Sequence, residues 1–445
     1  MQLKTILNRV QKHRSFVYEM VRVVGEQIEV ELRPRKNSRA ICSECKRPAP
    51  GYDTLAQRRF EFVPLWNLKV FFLYAPRRVD CLRCGVKVEQ LPWSEGKHRL
   101  TRAYAWFLAT WAKRMSWKEV AELFHTSWEN VFRSVEMAVE WGRKHMDLND
   151  IGAIGIDEIQ WHQGHHFLTV VYQIDKHHKR LVWLGDKRRV KTLLRFFRWF
   201  GKERSAALEF ICSDMWRPYL KVIAKKAPQA VHILDRFHIM SMLSKAIDKV
   251  RAEEANQLRV QGYEPVLKGS RWLLLKRPEN LTEAQDVKLA ELVQFNLRSI
   301  RSYLLKEDFQ FLWKYVSPYW AGRFLDRWCT RVMRSRIEPM KRVARSMRNH
   351  RELILNWFRA RGTISAAVVE GFNNKAKLTT RKAFGFRTFK AAELALFHTL
   401  GDLPEPDMTH RFCEEANFLS VESWWRGQDL NLRPLGYEPT QGIYC

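Results

Sequence analysis

The stretch that decides the fold is Ala153–Asp175, AIGIDEIQWHQGHHFLTVVYQID. An apolar run carries Asp157 in its interior, a polar turn rich in histidine follows, and a second β-rich run ends at Asp175. Both runs have the length and β-branched content of strands rather than helices. Further on, KRLVWLG predicts a third strand, VKTLLRFFRWFG a helix, ALEFICSDMW a fourth strand, RPYLKVIAKKA a helix and AVHILDRFHI a fifth strand. The order is β-β-β-α-β-α-β, with Asp157 on the first strand and Asp214 just past the fourth.

That order, with acids so placed, resembles the RNase H-like nuclease and integrase core. Strands one and four are neighbours there, so Asp157 and Asp214 are expected to face each other and bridge two magnesium ions, hard cations that take oxygen ligands. Successive strand side chains alternate in direction, so Glu158 is expected to look away from the site. A carboxylate within an apolar strand is costly to desolvate without a partner, which sets Asp157 and Asp214 apart from Asp175 and Asp186, ordinary strand-end acids. His162, His165 and His166 crowd the hairpin turn and need no metal of their own. Tyr172 and Tyr219 have no Arg-His-Arg setting of a tyrosine recombinase around them and are read as packing residues.

A third acid must come from downstream. From Met240 the sequence is helical and basic, without a strand pattern, and Trp313, Trp320 and Trp328 are assigned to its core or to a protein interface. The next apolar run ends at Glu370, in VVEGFNNKAKLTTRKAFGFRTF, where Lys375, Lys377, Arg381, Lys382 and Arg387 follow with no further carboxylate. Such an acid is either a solvated surface residue or a metal ligand beside a phosphate backbone.

Upstream, ICSECKRP and VDCLRCGVK supply Cys42, Cys45, Cys81 and Cys84 as two Cys-x-x-Cys pairs. Four thiolates on two tight turns suit one tetrahedral, structural zinc; His98 is a stray alternative ligand. SFVYEMVRVVGEQIEVELRP reads as a hairpin about Gly25, and LKVFFLYAPRRVDC as a strand entering the second pair. The region 100–150 reads as a helix to about Arg114, a short helix over Trp117–Phe124, a turn at His125 and Thr126, and a helix capped by Ser127. This spacing fits a helix-turn-helix, although a plain helical hairpin has the same apolar pattern. Cys212, Cys329, Cys413 and Cys445 have no ligand spacing.

Composition agrees with a polyanionic partner. Lys plus Arg number 77 against 48 acids, a formal charge of +29, and nucleic acid is the commonest partner of such a surface. There is no long uncharged apolar run and no signal-peptide pattern, so a cytoplasmic protein without membrane attachment is expected. At 445 residues several domains are expected. They are a β-rich zinc ribbon-like domain over 1–99, a helix-turn-helix region over 100–150, a first part of the catalytic core over 151–239, an all-helical insertion over 240–362, a last part of the core with Glu370 over 363–400, and a tail over 401–445. The tail, rich in Pro, Gly and Asn, lacks periodicity and is read as unpacked, the reading frame running past its usual end; truncation after about Leu419 is expected to be harmless.

Taken together, GIDEIQWHQGHHFLTVVYQID, SDMWRPYLKVIAKKAPQAVHILDRFHIM and EGFNNKAKLTTRKAFGFRTF, behind paired Cys-x-x-Cys turns, resemble the bacterial insertion-sequence transposases of the ISL-three family. The resemblance covers about Arg33 to Leu400. It implies a DDE-type catalytic triad of Asp157, Asp214 and Glu370 holding two Mg2+ (or Mn2+) ions, with the zinc and helix-turn-helix parts recognising element ends. It also implies a helical insertion between the second acid and the Glu, and an accessory role for Asp235 and His238 in DRFH. Asn373, Asn374, Lys375, Lys377, Arg381 and Lys382 would then contact DNA phosphates. The partners expected are the terminal inverted repeats, target DNA and a second copy of the chain on paired ends, in a bacterial cytoplasm with the protein on the nucleoid. A structure-specific nuclease of the same core, or a DNA-binding regulator without catalysis, are the rival expectations.

Overall fold

The computed structural model describes residues 3–96, 98–162, 164, 166–263, 266–276, 278–360 and 367–406; His165 and the expected tail from residue 407 onward lie outside them. The chain divides into two units, the first built from residues up to Met146 together with those from Leu403, the second from Asp147–Asp402.

In the first unit, helix α1 (Leu3–Val10) precedes strands β1 (Phe16–Val24) and β2 (Gln27–Pro34), then β3 (Gly51–Thr54), β4 (Arg58–Leu65), β5 (Leu68–Tyr74), β6 (Arg77–Cys81) and β7 (Gly85–Val88). The β1–β2 hairpin turns at Gly25, whose φ of +57° suits a residue without Cβ. Two sheets form, ordered β1-β2-β5-β4 and β3-β6-β7. The stretch expected as one strand entering the second cysteine pair is therefore two strands in two sheets. The break falls at Ala75 and Pro76, where proline cannot donate a ladder hydrogen bond. Trp93, buried among Phe16, Phe60, Phe72 and Tyr74, centres the core of the larger sheet.

Three helices follow, α2 (Arg102–Ala112), α3 (Trp117–Leu123) and α4 (Trp128–His145). Each start has a side-chain cap, of which Ser127 alone was expected: Thr101 accepts from the Tyr104 N–H, Ser116 forms a capping box with Glu119, and Ser127 accepts from the Asn130 N–H.

The second unit is built on β8 (Ala153–His162), β9 (His166–Ile174), β10 (Lys179–Asp186), α5 (Val190–Phe200), α6 (Lys202–Ala207), β11 (Phe210–Ser213), α7 (Arg217–Lys226) and β12 (Val231–Leu234). Its sheet is ordered β10-β9-β8-β11-β12, antiparallel on the β9 side and parallel from β8 through β11 to β12. One face packs on α5 and α7 through Ile154, Ile156, Phe196, Tyr219 and Val222. The other carries α15 (Ala367–Lys382) and α16 (Phe389–Leu400), against β8, β9 and β10.

Between β12 and α15 the described residues form only helices: α8 (Arg236–Val260), α9 (Arg271–Leu275), α10 (Glu283–Val293), α11 (Arg298–Gln310), α12 (Pro318–Arg334), α13 (Glu338–Asn349) and α14 (Arg351–Arg359), with two short 3-10 turns. They share a core that includes Phe309, Trp313, Trp328 and Met340. Trp320 is half exposed and outside that core. The first helix starts at Arg236 under an Asp235 cap, so the expected boundary at 239/240 falls inside a continuous helix.

Candidate active site and metal centre

Parallel pairing sets the level of the acids. Ser213 stands opposite Ile156 on β8 and opposite Leu234 on β12. One residue further along each chain lie Asp157, Asp214 and Asp235, so three acids stand in a row, Asp214 and Asp235 just past the carboxyl ends of β11 and β12 and Asp157 level with them in the middle of the longer β8. That is where open α/β sheets place their ligands.

Asp157 leaves the sheet on the α15 face. Two positions earlier on the same face, Gly155 lets Val369 approach, and a Cβ at Gly155 would come within 2.4 Å of the Val369 side chain. α15 thereby reaches the strand closely enough for Asn373 to donate from Nδ2 to Asp157 Oδ2 at 2.5 Å. The other oxygen, Asp157 Oδ1, accepts from the Glu158 N–H at 2.8 Å. Asn373 is fixed in turn by the Tyr172 hydroxyl, which donates to its Oδ1 at 3.0 Å, while the Tyr172 ring stacks on Phe372. Asn373, expected at a phosphate, is committed to Asp157 in this structure, and Tyr172, expected only to pack, orients that amide.

His238, on the first turn of α8, places Nε2 3.7 Å from both Asp157 Oδ1 and Asp235 Oδ2. The Asp157 carboxylate is the main reason its pKa is raised to about 9, so the ring is cationic at neutral pH. Asp235 accepts from the Phe237 N–H and is pushed up to about 6 by burial, with Asp157 and Glu370 adding like charge. Glu370 sits exposed on the first turn of α15.

Asp214 is held differently. Its Oδ1 accepts from the Trp216 N–H, and its Oδ2 takes Arg188 Nη2 at 2.8 Å. Arg188 also lies 2.8 Å from Glu158 Oε1, an ion contact without hydrogen-bond alignment, and stacks over the Trp216 ring. Glu158 does leave β8 on the face opposite Asp157, as expected, but through Arg188 it is tied to Asp214. Burial and the Asp214 charge push it up to about 8. Sequence reasoning missed Arg188; its one trace is the cationic run DKRRVK at the end of β10.

The site therefore gathers Asp157, Asp214, Asp235 and His238, with Glu370 close enough to add like charge at Asp235. The three acids of the expected triad do not bring their oxygens to a single point: among the described residues, the one group of three or more ligand side chains within 4.8 Å is Cys42, Cys45, Cys81 and Cys84. Oxygen donors in surplus over local cations nevertheless fit a hard divalent ion. Of the basic residues after Glu370, Lys377, Arg381 and Lys382 are exposed along α15; Lys375 is exposed and lies over Phe372, and Asn374 is half-buried.

The cysteine group is in the first unit. Cys45 Sγ and Cys81 Sγ are 3.5 Å apart, and the N–H groups of Arg83 and Cys84 lower the Cys81 pKa to about 7, favouring the thiolate a metal needs. The second pair spans the β6–β7 turn, and the first lies beside it through the Cys42–Glu89 bridge. Glu89 is buried and saturated by the Tyr74 hydroxyl and by Arg77 through its backbone N–H, Nε and Nη2. His98 is exposed and outside the group. Four thiolates with no other donor match a closed zinc site.

A family model described as Transposase, that of the ISL-three (ISL3) group, matches residues 154–396. The transposase for insertion sequence element IS1557 of Mycobacterium tuberculosis is 30% identical over 405 residues, covering 85% of this chain and 90% of its own length. The transposase for insertion sequence element IS1001 of Bordetella parapertussis is 28% identical over 366 residues, covering 82% and 89%. No helix among the described residues is long and apolar enough to cross a membrane. The matched segment runs from β8 through helices α8–α14 to α16, the part of the chain that holds the acid row, and the chain belongs to the ISL-three family of insertion-sequence transposases.

Proposed function

We propose that this transposase is of the DDE type, with Asp157, Asp214 and Glu370 as its catalytic acids on an RNase H-like core, and that it cuts DNA at element ends and joins the freed 3′ hydroxyl to target DNA. The observation that carries the reading is the strand register that levels Asp157 with Asp214, together with the Asn373–Asp157 bond that docks the Glu370 helix against the same strand end. Magnesium or manganese, two ions held by the three carboxylates, would supply the activation of water and of the 3′ hydroxyl and the neutralisation of charge at phosphorus.

The chain's own residues do the rest. Asn373 and Tyr172 fix the Asp157 carboxylate, Arg188 orients Asp214, and His238 balances Asp157 and Asp235 with positive charge while lying within reach of a phosphate. Asp235 and His238 are thus accessory groups. Lys375, Lys377, Arg381 and Lys382 offer cations along the helix that carries Glu370, where a DNA backbone needs screening. In the first unit, zinc on the four cysteines would hold the small sheet, and α3–α4 would read element ends as a helix-turn-helix. Work on paired ends asks for at least two copies of the chain, acting in the bacterial cytoplasm on the nucleoid.

The test is excision and reinsertion of a marked element bounded by this gene's flanking DNA, comparing wild type with Asp157→Asn and Glu370→Gln. Movement that both substitutions reduce by about 10³-fold or more, with DNA binding retained, is expected. Cutting of branched DNA without any movement would replace the reading by a nuclease. Binding with no cutting at all would leave a regulator.

A further inference from the structure

On the sheet face away from α15, helices α5 and α7 enclose an open groove of about 1210 Å³. Its lining includes Arg198, Lys202, Arg217, Lys221, Lys225 and Lys226 and no acid. All six are exposed, and none has an ion pair among the described residues. Its apolar lining is largely spent inward: Phe197 and Val222 are buried in the sheet core, and Leu194 packs on that core. Val190, at the start of α5, keeps apolar surface exposed in the groove. What sets the groove apart is six cations without an acid to balance them.

The charge has a direction. Arg217, Lys221 and Lys225 follow at i, i+4 and i+8 on α7, a stripe about 12 Å long at 1.5 Å per residue. One strand of a duplex advances 3.4 Å per phosphate along its axis, so the stripe can meet about three phosphates. It starts beside Trp216, whose N–H binds Asp214. We infer that this groove is a second DNA track, taking the sugar–phosphate backbone of duplex DNA that leads away from the acid row on the face opposite the Glu370 helix. The inference rests on the DNA-processing reading above.

The experiment uses the full chain and a 30-bp duplex of arbitrary sequence without divalent metal, reading Kd from 50 to 300 mM salt. A groove variant, Lys202→Gln/Lys221→Gln/Lys225→Gln, is compared with a control of equal charge, Lys176→Gln/Lys245→Gln/Lys268→Gln, and with wild type. Each lost phosphate contact removes about 0.9 from the slope of log Kobs against log salt. The groove variant is expected to lose about 2 to 3 from the slope and the control well under 1, at unchanged melting temperature. Equal slopes for groove variant and wild type, or equal losses in groove variant and control, overturn the track. So does a result in which the groove substitutions spare DNA but abolish binding of an acidic amphipathic 20-residue peptide, which would make the groove a protein site. If wild type binds no duplex, the DNA reading itself fails; if it binds and only the groove is silent, the track alone fails.

Discussion

Among single residues, His232 shows how a buried ring beside the acid row makes the fold sensitive to acid. It lies on β12, buried, with Nε2 2.7 Å from the Ser213 hydroxyl, and burial lowers its pKa from 6.5 to about 4. The unfolded chain takes up this proton near pH 6.5 and the native chain only near pH 4, so stability falls as pH drops through that window, by about 3 kcal/mol at its foot. Glu158 and Asp235 oppose this, because their raised pKa values favour the protonated form in the native state and stability is regained as pH falls. The His232 share is therefore a difference: urea midpoints for wild type and His232→Gln at pH 7 and pH 4.5 should show a steeper acid loss in wild type. Parallel losses would assign the acid sensitivity elsewhere. None of this was legible in the letters AVHILDRFH, since the Ser213 partner comes from another strand. Asp157 and Asp214 were legible, because a carboxylate inside an apolar strand needs a reason, whereas Arg188 is explained only by partners that folding brings to it.

For the elements, what sequence conveyed well was periodicity. The five strands of the second unit and the cap at Ser127 follow from runs and stop signals that neighbouring residues settle among themselves. It conveyed poorly where one run serves two sheets, as at Ala75–Pro76, and where Gly201 ends α5 and a short α6 follows at once, since VKTLLRFFRWFG by itself predicts one helix and nothing after it before the fourth strand. The fit of α15 to β8 is tertiary and depends on Gly155. Gly155→Ala drives a methyl into the buried, β-branched Val369, which cannot swing aside as a long side chain would. Overpacking of this kind costs about 1–3 kcal/mol. We expect the variant to unfold at lower urea and to lose excision activity although no acid has changed, because the Glu370 helix can no longer seat against Asp157. Unchanged stability would mean that α15 is not seated by this contact.

Across the whole molecule the small sheet of the first unit stands apart in what stabilises it. The second unit has two large apolar clusters, one on the sheet and one among helices α8–α14, and the larger sheet of the first unit has its own around Trp93. The small sheet of the first unit has a core of Ala40, Cys42, Val79 and Cys81 alone, with Cys45, Ala49 and Cys84 against it. Burying Val79 is worth about 1.5–3 kcal/mol, too little to order a sheet of three short strands with its loops when each ordered residue costs about 1–2 kcal/mol of backbone entropy. A zinc ion on four thiolates contributes an apparent 10–16 kcal/mol in small peptides at pH 7, enough to reverse that balance. Native mass spectrometry is accordingly expected to find one zinc per chain. Chelation, or Cys81→Ser, should then strip hydrogen-exchange protection from the small sheet and its cysteine turns, about residues 40–54 and 77–90, while β4 and β5 in the larger sheet and the strands around Asp157 keep theirs. A metal-free protein with full protection over 40–54 and 77–90 would mean that Glu89, with its bonds from Tyr74 and Arg77, holds the small sheet by itself. Loss of protection in both units together would instead mean that the chain unfolds as one.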